Sequence, residues 1–267
     1  MGFDGEFEGK VAIVAGGSLG IGKAAARLLA ERGASVVLCG RNDDSVQAAV
    51  REMTTDGLAV AGIAADVGKS GDVKRLVRFA VETFGGVDVL VNSAGIQRYG
   101  TVVDTDEATW DEVFDTNVKG MYLTAHFAIP EMEKRGGGAI INVSSVQAFA
   151  SQTKVAAYTA SKGAINALTR AMALDHADKQ IRVVSVCPGS IDTPMLRHSA
   201  DLFKGEGTME ETLNAWGQMH PLGRVGTPED VAELIAFLAS DRASFITGGE
   251  YKVDGGLMAA ISVVLPD

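Results

Sequence analysis

The chain has 267 residues, 46% of them hydrophobic and 22% charged, with a formal net charge of −10. That much apolar content builds a sizeable core and excludes wholesale disorder. A pI near 4.9 excludes a nucleic-acid binder, which would carry a basic face. Cys39 and Cys187 sit inside apolar runs, and neither they nor His126, His176, His198 and His220 fall at metal-ligand spacings, so no metal site is expected. The start, MGFDGEFEGK, is acidic and lacks the apolar segment of a signal peptide, and no apolar run reaches membrane-spanning length. The expectation is a cytoplasmic protein.

Short apolar, β-branched runs alternate with longer amphipathic stretches. Strands are predicted at 11–15, 35–39, 58–63, 87–91, 139–143, 181–186 and 250–253, and helices at 20–32, 43–55, 70–84, 107–134, 155–178 and 228–239. Most strand runs are apolar on both faces, as buried parallel strands are. Gly33 closes the first helix, and Thr227-Pro228-Glu229-Asp230 opens the last with a cap, a first-turn proline and two acids. This rhythm predicts an α/β fold over 1–267: a single-domain, Rossmann-type, doubly wound parallel sheet of about seven strands, with helices on both faces. Gly136-Gly137-Gly138 reads as a hinge into the fifth strand. Residues 190–222 read as a long functional loop, a substrate lid.

The first strand runs into AGGSLGIG, which places Gly16, Gly20 and Gly22, with Ser18 and Ile21 between them, at a strand–loop–helix junction. Glycines there permit a tight turn and close backbone approach, and the following helix presents unpaired N–H groups to a pyrophosphate. A dinucleotide is the expected ligand. The second strand ends Cys39-Gly40-Arg41-Asn42. Gly40 stands where an acid would hold the ribose 2′-hydroxyl of NAD, and Arg41 offers a guanidinium to a 2′-phosphate. NADP(H) is favoured, with NAD(H) as the alternative; the bland alternative makes Arg41 a solvated loop residue and Asn42 or Asp43 a helix cap.

In this order the sequence resembles the classical short-chain dehydrogenase/reductase family nearly end to end. AGGSLGIG resembles the family's TGxxxGxG, with Ala15 in place of threonine. Asp66-Val67 matches the position that contacts adenine, and Asn92-Ser93-Ala94-Gly95 the NNAG turn. Asn117, Ser145, Tyr158 and Lys162 fall where the catalytic tetrad lies. Pro188-Gly189, Ile191 and Thr193 match the segment supporting the nicotinamide, and ITGGEYKVDGG matches the closing strand. The resemblance implies that Gly16, Ser18, Gly20, Ile21, Gly22, Arg41, Asp66, Val67, Asn92, Ala94, Gly95, Tyr158, Lys162, Pro188, Gly189, Ile191 and Thr193 form the cofactor site. Leu19 stands where many NADP users carry a basic residue, which leaves phosphate recognition to Arg41.

Tyr158 and Lys162 lie one helical turn apart on one face. A free tyrosine titrates near ~10, and a neighbouring ammonium favours the phenolate. The pair reads as a proton-managing acid/base, with Ser145 holding the substrate oxygen and, by the resemblance, Asn117 holding a water that relays protons from Lys162. Gln147, Gln152, Arg98 and Trp216 are the candidate substrate contacts. The buried amides lean towards a sugar or other polar alcohol. The alternatives are a 3-oxoacyl thioester reductase and a non-catalytic cofactor-binding regulator; a methyltransferase with a similar glycine loop fits the Tyr-x3-Lys pair poorly. The resemblance also implies a homotetramer, its 107–134 and 155–178 helices pairing across a two-fold axis and the terminal SVVLPD packing on another subunit. Light scattering showing a monomer would contradict this.

Overall fold

The computed structural model describes residues 5–260. Among the described residues seven strands form one parallel sheet: β1 (Val11–Ala15), β2 (Ser35–Gly40), β3 (Val60–Ala64), β4 (Val89–Asn92), β5 (Gly138–Val143), β6 (Ile181–Pro188) and β7 (Glu250–Val253). Their order is β3-β2-β1-β4-β5-β6-β7. The chain winds outward from β1 to β3, then crosses back to β4 on the other side of β1. The carboxyl ends of β1 and β4 therefore diverge into a crevice, the place where open α/β sheets bind ligands.

The α-helices of the described residues follow in chain order: α1 (Gly20–Glu31), α2 (Asp43–Thr55), α3 (Ser70–Phe84), α4 (Glu107–Phe114), α5 (Gly120–Lys134), α6 (Ala156–Asp175), α7 (Pro194–Phe203), α8 (Met209–Gln218) and α9 (Pro228–Ala239). Strand side chains alternate between the two faces. Ala12 and Val14 join a core with Leu29 of α1, Met53 of α2 and Ile235 of α9, while Ile13 and Leu90 join a second with Leu76 of α3, Met132 of α5 and Met172 of α6. The fold class and strand count expected from the sequence are those observed. Among the described residues no helix is long and apolar enough to cross a membrane, and no group of acidic, histidine and cysteine side chains could hold a metal ion. The SVVLPD segment lies outside the described residues.

Three expectations need correction. The third strand begins at Val60 rather than residue 58, because its pairing with β2 starts at Val36 and Val60. The helix expected over 107–134 is interrupted by a π turn, Asp115–Lys119, carrying Asn117. Residues 190–222 are not a loop. Thr193 caps α7, with Pro194 in its first turn, and Thr208 and Glu211 cap α8 reciprocally. The two helices pack together, and residues of both line the cleft at the carboxyl edge of the sheet.

Candidate active site

A cleft of about 830 Å³ runs along the carboxyl edge of the sheet. Gly16, Ser18, Gly20, Ile21, Gly40 and Arg41 line one end. Val67, Ala94, Gly95, Pro188, Gly189, Ile191 and Thr193 line the middle, and Ser145, Gln147, Gln152, Tyr158, Lys162 and Trp216 the far end. Most of the residues singled out in the sequence are thus brought together.

Five do not line the cleft; one of them, Asn117, is buried behind the cleft wall. Gly22 lies beneath the cradle, packed on Gly16. Asn92 is buried in a polar ladder: its Nδ2 donates to Asn142 Oδ1 at 2.9 Å, and Thr124 donates to its Oδ1 at 2.7 Å. It joins β4 to β5 and α5. Asp66 turns its carboxylate to the Gly68 N–H, 3.1 Å away. Arg98 does not line the cleft. It pairs with Glu112 of α4, Nε to Oε2 at 2.9 Å and Nη2 to Oε1 at 2.7 Å, because a carboxylate on the neighbouring helix satisfies the guanidinium better than an apolar cleft wall.

The glycine cradle fits a pyrophosphate. Gly16 adopts a φ of +78°, and a carbon placed on it would lie 2.6 Å from Ala94 N. The turn needs a residue without a side chain. Helix α1 starts with no side-chain cap and no acid in its first turn, so its amino-terminal N–H groups are open to an anion.

At the far end, Tyr158 is buried with Lys162, whose Nζ lies 5.3 Å from the centre of the phenol ring. Nζ donates to Val143 O at 3.0 Å. Burial pushes Tyr158 up to about 12, partly offset by the Ser145 hydroxyl, and pushes Lys162 down to about 8. Desolvation wins over the mutual attraction expected from sequence, so the protein alone holds the phenol protonated. Ser144 and Ser145 point apart, as adjacent extended residues do: Ser144 Oγ donates to Lys162 O, while Ser145 Oγ accepts from Gln147 N. Gln147 and Gln152 meet at 3.3 Å. Asn117 is fully buried; its amide donates to Ile96 O and Ser161 Oγ and its Oδ1 accepts from Ile96 N.

Lys162 also yields a stability prediction. Its folded pKa is depressed, so the cost of burying the charge is present in full below about pH 8 and disappears as pH rises towards about 10.5. The gap is worth at most ~3 kcal/mol, less about 1 kcal/mol for the lost bond to Val143. Lys162→Met is expected to raise the melting temperature of the cofactor-free protein at pH 7, with the gain shrinking above pH 8. Thermal melts across pH check this, and a gain that grows with pH would refute it.

The sequence reading missed Tyr99. Its hydroxyl donates to Ser199 of α7 at 2.6 Å, and its ring meets Phe203 edge-on at 4.8 Å. It ties α7 to the connection after β4, and only its place just beyond the NSAG turn could have flagged it.

Fold and cleft define the class: a Rossmann-type α/β protein with its binding crevice at the switch point of the sheet. Residues 15–258 match the family model described as Enoyl-(Acyl carrier protein) reductase. The chain is 39% identical over 255 residues to the cyclohexanol dehydrogenase of Acinetobacter sp. (strain SE19), covering 94% of this chain and 95% of that one. It is 41% identical to human dehydrogenase/reductase SDR family member 4, covering 92% and 87%. The ligand-free structure of Thermoplasma acidophilum aldohexose dehydrogenase superposes with a TM-score of 0.90 at 36% identity, covering 99% of this chain and 100% of that one. The chain belongs to the classical short-chain dehydrogenase/reductase family. It is an oxidoreductase, and membership brings a nicotinamide cofactor, which the glycine cradle fits.

Proposed function

We propose that this chain is an NADP(H)-preferring enzyme acting on a carbinol or carbonyl carbon of a small hydroxylated substrate, a sugar or other polar alcohol. The observation that carries the substrate reading is the pair of side-chain amides, Gln147 and Gln152, meeting in the cleft beside Ser145 and Tyr158. Amides placed there favour a ligand that offers hydroxyls and disfavour one that leaves them unpaired. The structural neighbour is named for an aldohexose, which points the same way.

With its pyrophosphate held by the glycine cradle, the cofactor would supply the hydride chemistry and, when oxidised, a further positive charge. Tyr158 moves the proton at the substrate oxygen: it donates in reduction and accepts in oxidation. Ser145 holds that oxygen as charge develops. Lys162, one turn on, favours the phenolate once further positive charge is beside it. Asn117 Oδ1 and Lys162 Nζ converge beside Gly95, 3.4 Å and 3.8 Å from the point where a Cβ would stand, which supports a role for Asn117 in passing a proton onward from Lys162. Arg41, 55% exposed along its side chain and lining the cleft, supports the NADP(H) reading, since its guanidinium would pair with a 2′-phosphate.

The second reading is a 3-oxoacyl thioester reductase. The description of the matching family model names an acyl thioester carrier, though for an enoyl rather than a 3-oxo group, and Met195, Trp216 and Met219 give the cleft an apolar wall that would suit an acyl chain. Absorbance of reduced nicotinamide separates the two. Turnover of pooled sugars and polyols with NADP(H), exceeding that with NAD(H), is expected. Turnover confined to apolar alcohols or acyl thioesters would overturn the substrate reading, and an NAD(H) preference the cofactor reading. No turnover in any pool, with cofactor bound, would favour a non-catalytic regulator.

A further inference from the structure

Three charged side chains from three separate elements meet beside the end of the cleft that Arg41 lines. Arg41 follows β2, Arg98 follows β4, and Glu112 lies in α4. In the sheet, β2 and β4 flank β1, so Arg41 and Glu112 reach towards each other from opposite sides of the crevice. Thr116, one turn after Glu112, lines the cleft, which puts the Glu112 carboxylate at its rim.

The three are not equivalent. Arg98 engages both oxygens of Glu112, at 2.9 Å and 2.7 Å. Arg41 Nη1 stands 4.0 Å from Oε1 of the same carboxylate, the outer limit of an ion pair. At 4.0 Å Arg41 is beyond hydrogen-bond distance of that carboxylate, so its donors are open to another anion. Two guanidiniums against one carboxylate leave a single net positive charge at this corner.

We propose that Glu112 is a cofactor-selectivity residue, a carboxylate that tempers how strongly Arg41 draws a 2′-phosphate over a 2′-hydroxyl. A phosphate held by Arg41 comes within a few ångströms of Glu112 and is repelled by it, whereas a hydroxyl is not. Arg98 offsets much of that repulsion and holds the carboxylate back from Arg41. The inference rests on the reading of Arg41 given above, and the two can fail separately.

The test is the dissociation constant of the full-length protein for NADP and for NAD, each without substrate, by calorimetry at about 0.05 M and about 0.5 M salt. Glu112→Gln is expected to tighten NADP about three- to tenfold at low salt, with NAD changed less than about twofold and the gain reduced at high salt. Arg98→Gln is expected to weaken NADP, since it leaves Glu112 free to engage Arg41. Opposite signs from the two members of one ion pair set this apart from a structural role, in which both changes would weaken binding. Equal effects of Glu112→Gln on NADP and NAD, or none, would overturn the proposal. Arg41→Ala tells the failures apart. A selective loss of NADP with Glu112→Gln silent sinks only the role of Glu112, whereas equal losses of NADP and NAD from Arg41→Ala sink the reading of Arg41 and this inference with it.

Discussion

Tyr158→Phe is expected to lower turnover about a thousandfold or more while leaving the dissociation constant for the cofactor within a few-fold of the unchanged protein. The magnitude follows from the proton transfer removed, since a positioned acid/base contributes roughly 10²–10⁴ in rate. Phenylalanine fills the same buried volume, and Tyr158 is 8% exposed, so the fold is retained. Burial pushes the phenol up to about 12, so at neutral pH the change removes a neutral hydroxyl, not a charge. Stopped-flow absorbance reads turnover and fluorescence titration reads binding. Turnover within tenfold of the unchanged protein would exclude Tyr158 as the acid/base. In the unchanged protein the rate of alcohol oxidation should rise with pH, because the base is the phenolate.

Gly22→Ala is expected to disable the cofactor site from beneath. Gly22 does not line the cleft, yet a carbon built on it would lie 2.1 Å from the Gly16 carbonyl oxygen. That atom is backbone and cannot rotate away, so the loop must move. Overpacking of this kind costs about 2–3 kcal/mol, which, taken from the geometry of the cradle, weakens the cofactor by roughly 30- to 150-fold. Gly71→Ala is the control: it meets nothing within 4 Å and should leave binding unchanged. Calorimetric titration with cofactor decides it, and binding and melting temperature both unchanged in Gly22→Ala would show that the loop yields without cost.

Much of this was legible in the sequence because it is local. Apolar runs without polar interruption place the central strands, since a strand covered on both faces tolerates little else. The spacing of Tyr158 and Lys162 puts them on one helix face whatever surrounds them. The caps of α7 and α8 were also written in the chain, as Thr193-Pro194 and as Thr208 three residues before Glu211; mixed composition hid them and suggested a loop. Asn42 was the reverse case. It caps α2 by accepting from Ser45 N at 2.8 Å, as the bland reading of that turn expected, while its neighbour Arg41 lines the cleft.

By itself the sequence determined the alternation of strands and helices, the glycine turn after β1, and the shared helix face of Tyr158 and Lys162, because periodicity, turn sterics and spacing act between residues near in the chain. The tertiary structure alone decided the rest. It broke the expected helix at Asn117, whose amide is held by Ile96 and Ser161. It turned Arg98 away from the cleft onto Glu112, made Asn92 part of the sheet's interior, and joined Tyr99 to Ser199. It also buried Tyr158 and Lys162, which raises the phenol and lowers the ammonium in the cofactor-free protein, since a pKa depends on how much water and charge surround a group. Those surroundings are assembled from segments far apart in sequence, and no spacing along the chain encodes them.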